Sequence, residues 1–358
     1  MRPAAQRGLG LKQSNGLNGG AMPAVSIHDV ARVAGVSIST ASRALNRSGR
    51  VSEDTVQKVR EVATRLGYQP NAIARTMRSK QSHAVGIIVS DISNPFYGRL
   101  VKLLERSLAE QGYACFVASS NNEIATEVEL IRFFRSREVD GIVLGPCQTD
   151  SVAHVVGEVR DTPTVLFDRD GCERLGSVKV DHYHGTTSAL RHLIALGHRR
   201  IALMTPGSQI QPIKERVRAY QDVLREAGIG FDPELICFAD SSMNFSPDQA
   251  ERLLRLGPRT PTAFLCLGTR ILAGVLAAIK SARLAIPAQV SVISIGDTDF
   301  SELHSPSITA LAWNVRALSD AISGFLLRQM RGEEGGHGES ATVEMRLIAR
   351  ESCAAPPA

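Results

Sequence analysis

From Ala84 onward, short β-branched runs alternate with amphipathic stretches of helical length, and this alternation restricts the chain more than any other feature. Ala84–Ser90 precedes Tyr97–Gln111, Ala114–Ser119 precedes Thr126–Arg137, and Gly141–Leu144 and Thr164–Phe167 follow. The series continues through Ser177–Val180, Tyr183–Leu196, Ile201–Met204, Ile213–Ala227, Ala263–Leu267, Arg270–Ser281 and Val290–Ile295. Strand–helix–strand order needs crossover connections, so the strands pair in parallel and helices cover both sheet faces. Roughly ten strands are more than one open sheet usually holds, which points to two α/β lobes. A charged, Gly-rich loop at Glu333–Glu339 then leads to a last strand, Thr342–Ala349.

The 358 residues are too many for one compact core, so further domains are expected. No run approaches the length of a membrane span, and the start lacks the charged-then-apolar layout of a signal peptide. A cytoplasmic, nucleoid-associated protein is expected. The six cysteines (Cys115, Cys147, Cys172, Cys237, Cys266 and Cys353) stand singly, which favours buried thiols over disulfides or metal ligands.

Charge separates the head from the body. Residues 1–80 carry 13 Lys/Arg against 4 Asp/Glu, a net of +9. The whole chain is +5, so residues 81–358 sum to −4. A basic head on a mildly acidic body is the electrostatic footprint of a nucleic-acid-binding module attached to something else. Residues 1–23 have no periodicity and read as a disordered tail, with Met22 an alternative start. Within residues 24–70 three helices are expected. Ser26 caps the first, with Asp29 in the capping-box position and Ile27, Val30, Ala31 and Ala34 on one face. Ser37 caps the second, Ile38 to Leu45. Ser52 caps the third, Glu53 to Leu66, which ends at Gly67.

Two short helices around Ala34-Gly35-Val36-Ser37 have the spacing of a helix-turn-helix, with Gly35 free to take a positive φ in the turn. The second helix would lie in the major groove. Ser37, Ile38, Ser39, Thr40, Ser42 and Arg43 are its N-terminal or outward residues. Arg43 can make paired bonds to guanine, Ser39 can meet a base edge or phosphate, and Ile38 can touch a thymine methyl. The Ser37 hydroxyl and the helix N-terminus suit a phosphate. Compact three-helix units that bind no nucleic acid also exist; the basic surroundings weigh against that alternative.

The run Ser26-Ile27-His28-Asp29-Val30-Ala31-Arg32-Val33-Ala34-Gly35-Val36-Ser37, with Thr40-Ala41-Ser42-Arg43-Ala44-Leu45-Asn46, resembles the LacI/GalR family of bacterial regulators. So do Leu66-Gly67-Tyr68-Gln69-Pro70-Asn71, Asp91-Ile92-Ser93-Asn94-Pro95-Phe96-Tyr97, Val139-Asp140-Gly141-Ile142, Asp168-Arg169, the segment from His192 to Ala202, and Glu215-Arg216. The resemblance spans about residues 24–352. It implies a small all-α helix-turn-helix domain followed by an α/β two-lobed, periplasmic-binding-protein-like (type I) effector domain. Residues 71–80 would be a hinge that folds on the operator, with Asn71 and Ala74 at the DNA and Met77, where the family usually has Leu, as an apolar minor-groove wedge. Asn46 would join the DNA-contacting set.

By the same resemblance residues 81–352 form the effector domain and 353–358 a tail. The N-lobe would comprise about 81–181 and 313–340, and the C-lobe 182–312 and 341–352. The chain would cross between lobes near Val180–Tyr183, Ala310–Asn314 and Glu339–Thr342. Partners implied are a near-palindromic double-stranded operator, a small-molecule effector, and a second copy in a homodimer or a tetramer.

Effector contacts are implied at Asn94, Phe96, Tyr97, Asp168, Arg169, Lys214, Arg216, Ser241, Thr269 and Asp297. Each has a structural alternative: packing for Phe96, a lobe-to-lobe acid for Asp168, a surface position for Arg216. The C-lobe departs from the family pattern. Gly268-Thr269 stands where Asn-Asp is common, and Ile295-Gly296-Asp297 where Phe-Asp-Asp is common. Retention of Arg216 and Lys214 beside fewer acids favours an anionic effector over a sugar-like one.

An enzyme is the first rival, but nucleophile-elbow, P-loop, zincin and dinucleotide-binding motifs are all missing from the sequence. His182/His184 and His192/His198 have no Cys or acidic partner at ligand spacing, so neither metal nor cofactor is expected. A solute-binding protein for uptake would share the body fold but needs no basic head. The expected function is sequence-specific transcription regulation, most simply repression, under effector control.

Overall fold

A computed structural model describes residues 25–46, 49–68, 81–147, 152–172, 175–207, 210–239, 247–333 and 338–357. The chain divides into two compact units, Met1–Lys80 and Gln81–Ala358.

The first unit contains α1 (Ile27–Ala34), α2 (Ile38–Asn46) and α3 (Glu53–Leu66). Ser26 and Asp29 form a reciprocal capping box at the start of α1, which satisfies two helix-end donors. Gly35 ends that helix at φ 68°, a left-handed turn that costs glycine little. Ser37 Oγ accepts from Thr40 N at 3.1 Å and starts α2. Ser52 occupies the position before α3, but its hydroxyl bonds Thr55 Oγ1 at 2.8 Å instead of capping a backbone amide. The core holds Val30, Ala31, Ala34, Ala41, Ala44, Val56, Val59, Val62 and Ala63. Its alanines let α1 and α2 approach closely, and the valines of α3 close the third side.

The body runs β1 (Ala84–Val89), α4 (Pro95–Glu110), β2 (Ala114–Ser119), α5 (Ile124–Ser136), β3 (Gly141–Leu144), α6 (Val152–Val159), β4 (Thr164–Phe167) and β5 (Gly176–Val180). It continues α7 (His182–Ala195), β6 (Ile201–Pro206), α8 (Gln211–Glu226), β7 (Ile236–Ala239), α9 (Asp248–Leu254), β8 (Ala263–Cys266) and α10 (Thr269–Ser281). Last come β9 (Ser291–Ile295), α11 (Asp299–Leu303), β10 (Thr309–Trp313), α12 (Val315–Arg331), β11 (Ser340–Val343) and β12 (Met345–Ile348).

These strands make two six-stranded sheets, ordered β11-β5-β4-β3-β1-β2 and β12-β10-β9-β8-β6-β7. Every pairing is parallel except β10 with β12. Central strands are apolar along their whole length because helices cover both faces: β1 and β3 are buried at every position.

Three short segments join the sheets: Asp181 after β5, Asn314 after β10, and Glu344 between β11 and β12. The last corrects the sequence reading. The expected single strand Thr342–Ala349 is two strands in different sheets, and the crossing lies after Val343, not at Glu339–Thr342. Ser340–Val343 pairs in parallel with β5, and Met345–Ile348 runs antiparallel to β10, so one residue turns the chain from lobe to lobe. Helix α12, absent from the expected elements, buries Val315, Leu318, Ile322, Phe325 and Leu326 in the first lobe.

Candidate nucleic-acid interface and ligand cleft

In the head, α2 presents one open side. Ile38 (42% exposed), Ser39, Arg43 and Asn46 are exposed and Ser42 half-buried, while Ala41 and Ala44 fill the core. Residues 39, 43 and 46 recur at helical spacing, so they share one face. Arg43 Nε donates to the Ser39 carbonyl at 3.3 Å, and Asn46 Nδ2 donates to Ser42 Oγ at 3.4 Å. Ser37, Ser39 and Thr40 are linked through their hydroxyls at the N-terminal end, beside the open amides of the helix. Polar donors and a guanidinium on one face, with an exposed aliphatic at the helix start, are the chemistry that reads base edges. The hinge residues Asn71, Ala74 and Met77 lie outside the described residues.

In the body, a cleft of about 430 Å³ opens between the C-terminal ends of the two sheets. This is where ligands bind in open α/β folds. Of the expected effector residues, Asn94, Phe96, Tyr97, Asp168, Arg216 and Thr269 line it. Asn94 caps α4 by accepting from Phe96 N at 3.0 Å, which brings both aromatics to the rim. Phe96 packs on Trp313 with ring centroids 4.6 Å apart, and on Tyr97 at 5.1 Å.

Asp168 and Arg216 come from opposite lobes and meet through His182. His182 Nε2 bonds Asp168 Oδ1 at 2.6 Å, and Arg216 Nη2 donates to His182 Nδ1 at 2.9 Å. An arginine can only donate, so Nδ1 is the bare nitrogen and Nε2 carries the proton given to Asp168. Burial lowers the His182 pKa, against the pull of Asp168, so the ring stays neutral. Burial alone would raise the Asp168 carboxyl; His182, Arg169 and Arg216 outweigh it and hold the acid below its usual range. Burial lowers Arg216 to about 10, which leaves it charged at neutral pH. Asp168 sits at φ 56°, and Asn121 and Asn122, which also line the cleft, at φ 54° and 60°. Three non-glycine residues in the left-handed region around one cavity are a local strain of the kind found at ligand sites.

Three expected residues do not line the cleft. Lys214 is exposed. It stands two positions from Arg216 on α8, and residues two apart on a helix do not share a face. Arg169 is buried behind Asp168, donating to its carbonyl at 2.6 Å. Asp297 is not among the lining residues and forms an ion pair with Arg350 at 2.8 Å. Ser241 lies outside the described residues. Sequence reasoning missed Trp313, Asn121, Asn122, Asp91, Arg270 and His182. The Asn-Asn pair after β2 was a readable signal, because asparagine tolerates left-handed backbone. Trp313 also explains the altered family pattern: at Gly296 (φ 109°) an added Cβ would stand 2.9 Å from its ring, so the indole occupies the space an acid would need.

Known proteins resemble this chain across both units. Residues 26–71 match the profile of bacterial regulatory proteins of the lacI family, and residues 190–353 match the periplasmic binding protein-like domain. The regulator RegA of Clostridium saccharobutylicum is 30% identical over 334 residues, covering 92% of this chain and 99% of that protein. The repressor CytR of Escherichia coli K12 is 28% identical over 335 residues, 93% of this chain and 98% of CytR. The crystal structure of the Lac repressor dimer bound to operator and the anti-inducer ONPF superposes with a TM-score of 0.82 at 23% identity, covering 93% of this chain and 100% of that one. No helix among the described residues is long and apolar enough to cross a membrane. The chain belongs to the lacI family of bacterial regulatory proteins and is a DNA-binding transcription regulator.

Proposed function

We propose that this regulator is a repressor that binds a near-palindromic operator as a two-fold dimer, and that a neutral small molecule in the cleft sets its operator affinity. Residues Ser37 to Asn46 supply the DNA contacts, Arg43 the strongest of them. Repression follows the resemblance to CytR over nearly the whole chain. The observation that carries the ligand reading is the balance of charge in the cleft. Its described lining holds two acids, Asp91 and Asp168, and two bases, Arg216 and Arg270.

The expectation of an anionic effector needs Arg216 and Lys214 to act together beside the positions of Thr269 and Gly296, where acids are lacking. With Lys214 out of the cleft and Arg216 tied to Asp168 through His182, the described lining residues hold no surplus positive charge for an anion. A neutral molecule with hydroxyl or amide groups for Asp168 and Arg216, and an apolar face for Phe96 and Trp313, fits the lining better. Such a ligand exchanges hydrogen bonds with water for bonds to a preset donor–acceptor pair.

A thermal-shift screen tests this directly. A neutral binder present at 100 times its Kd should stabilise the body by about 2.7 kcal/mol. If only carboxylates or phosphates stabilise it, the ligand class is wrong. If that same binder leaves DNA affinity unchanged, the coupling is wrong.

A further inference from the structure

We propose that His182 is the positioning residue of the cleft: a neutral ring, protonated on Nε2, that fixes the spacing of Asp168 and Arg216 across the two lobes and releases it when the ring gains a second proton. The inference rests on the cleft being the ligand site, although its test does not require a ligand.

The geometry leaves one arrangement of protons. Arg216 Nη2 offers hydrogen to Nδ1 at 2.9 Å, so Nδ1 must accept, and Nε2 must donate to Asp168 Oδ1 at 2.6 Å. His182 opens α7, just after the first crossing between the sheets, while Asp168 follows β4 in one lobe and Arg216 stands on α8 in the other. The ring is therefore a bridge placed where the lobes meet. It is buried, as is Arg216, whose Nε has no partner among the described residues. A second proton on Nδ1 would face the guanidinium proton to proton. The Arg216 bond would be lost, while the bond to Asp168 would strengthen into an ion pair.

The charged groups acting on the ring are Asp168, beyond β4, and Arg216 and Glu215, both on α8. Of the strands packed on α7, β8 and β10 carry no charged side chain and β12 carries Arg346. Two of these groups bond the ring directly, the carboxylate at Nε2 and the guanidinium at Nδ1. Burial adds to the guanidinium's effect and keeps the ring neutral. Removing Arg216 takes away the charge that opposes protonation and leaves Asp168, so the ring should then titrate at higher pH.

Histidine-labelled full-length protein, followed by nitrogen–proton NMR correlation, tests the assignment. The ring identified by its loss in His182→Gln should be the Nε2–H tautomer and should titrate below an ordinary imidazole. In Arg216→Met the same ring should titrate at higher pH than in wild type. The chain has 9 His, so the other eight rings report whether the variant keeps its fold.

Trp313 is the single tryptophan and lines the cleft, so its fluorescence reads the site without a ligand. Glutamine carries an acceptor and a donor but does not titrate. His182→Gln should lack the wild-type acid transition; His182→Leu should lack it and also differ from wild type at neutral pH. An Nδ1–H tautomer, a ring charged at pH ~7, the same titration in Arg216→Met, or a Leu variant indistinguishable from wild type would each overturn the proposal.

Discussion

Arg43 and Arg216 are held in opposite ways, and each arrangement suits what the residue must meet. Arg43 stands exposed on α2, its guanidinium lightly tethered to a carbonyl of its own helix. Arg216 is 7% exposed and bonded to a ring that is itself bonded to an acid of the other lobe. A residue that reads DNA must reach out to bases that vary from site to site. A residue that reads one small molecule gains by being set beforehand, because an immobile donor loses little freedom on binding. Local helix geometry is enough for the first, whereas the second needs several distant segments brought together.

The largest expected effect belongs to the head and comes from salt. If each of two heads neutralises about 4 phosphates, log K against log[salt] should slope near −7. Operator binding measured by anisotropy from 50 to 200 mM salt would then fall by roughly 10³- to 10⁵-fold. A slope near zero would mean that the +9 head is not the DNA surface.

Next in size is Arg216→Ala. Losing a charge-assisted bond inside a closed cleft should cost roughly 1.5–3 kcal/mol, about 10- to 150-fold in affinity for the neutral ligand, read by calorimetry. Arg216→Lys should not restore it, because an ammonium lacks the planar fork that reaches His182 and the ligand together. Ligand affinity unchanged in both variants would remove Arg216 from the site.

Arg43→Ala should weaken operator binding by roughly 1–3 kcal/mol and relax base preference at one position per half-site. An equal loss on every sequence would instead make Arg43 a phosphate contact.

The smallest expected effect separates the expected cleft from the observed one. Lys214→Ala should change ligand affinity by less than about 2-fold, since an exposed charge is screened by water. A loss as large as that of Arg216→Ala would put Lys214 back into the site.

The contrast between the two arginines also explains what could be read from the sequence. The head was legible because its signals are local: the Ser26–Asp29 capping box, Gly35 in the turn, and an alanine and valine pattern that α1 to α3 bury. The alternation of strands and helices in the body was legible for the same reason. Asp168 and Arg216 were reached through family resemblance, since nothing within ten residues of either shows that they share a cavity. Lys214 was misplaced although helix periodicity alone puts it on the other side of α8 from Arg216. His182, Trp313 and Asp297 were beyond reach. Their surroundings depend on the three lobe crossings, and on Arg350 arriving from the far end of the chain to claim Asp297. The apolar pattern predicts one final strand because Glu344 changes sheets without a break in it.

The division of labour between the two surfaces is the central claim, and one paired measurement tests it. Operator affinity and affinity for the neutral ligand are each measured for wild type, Arg43→Ala and Arg216→Ala in the full chain. The predicted result is a clean exchange. Arg43→Ala weakens the operator complex and leaves ligand affinity within about 2-fold. Arg216→Ala weakens ligand binding and leaves ligand-free operator affinity within about 2-fold, as expected if neither arginine takes part in the other's contacts. A large loss of ligand-free operator affinity in Arg216→Ala, or of ligand affinity in Arg43→Ala, would contradict it.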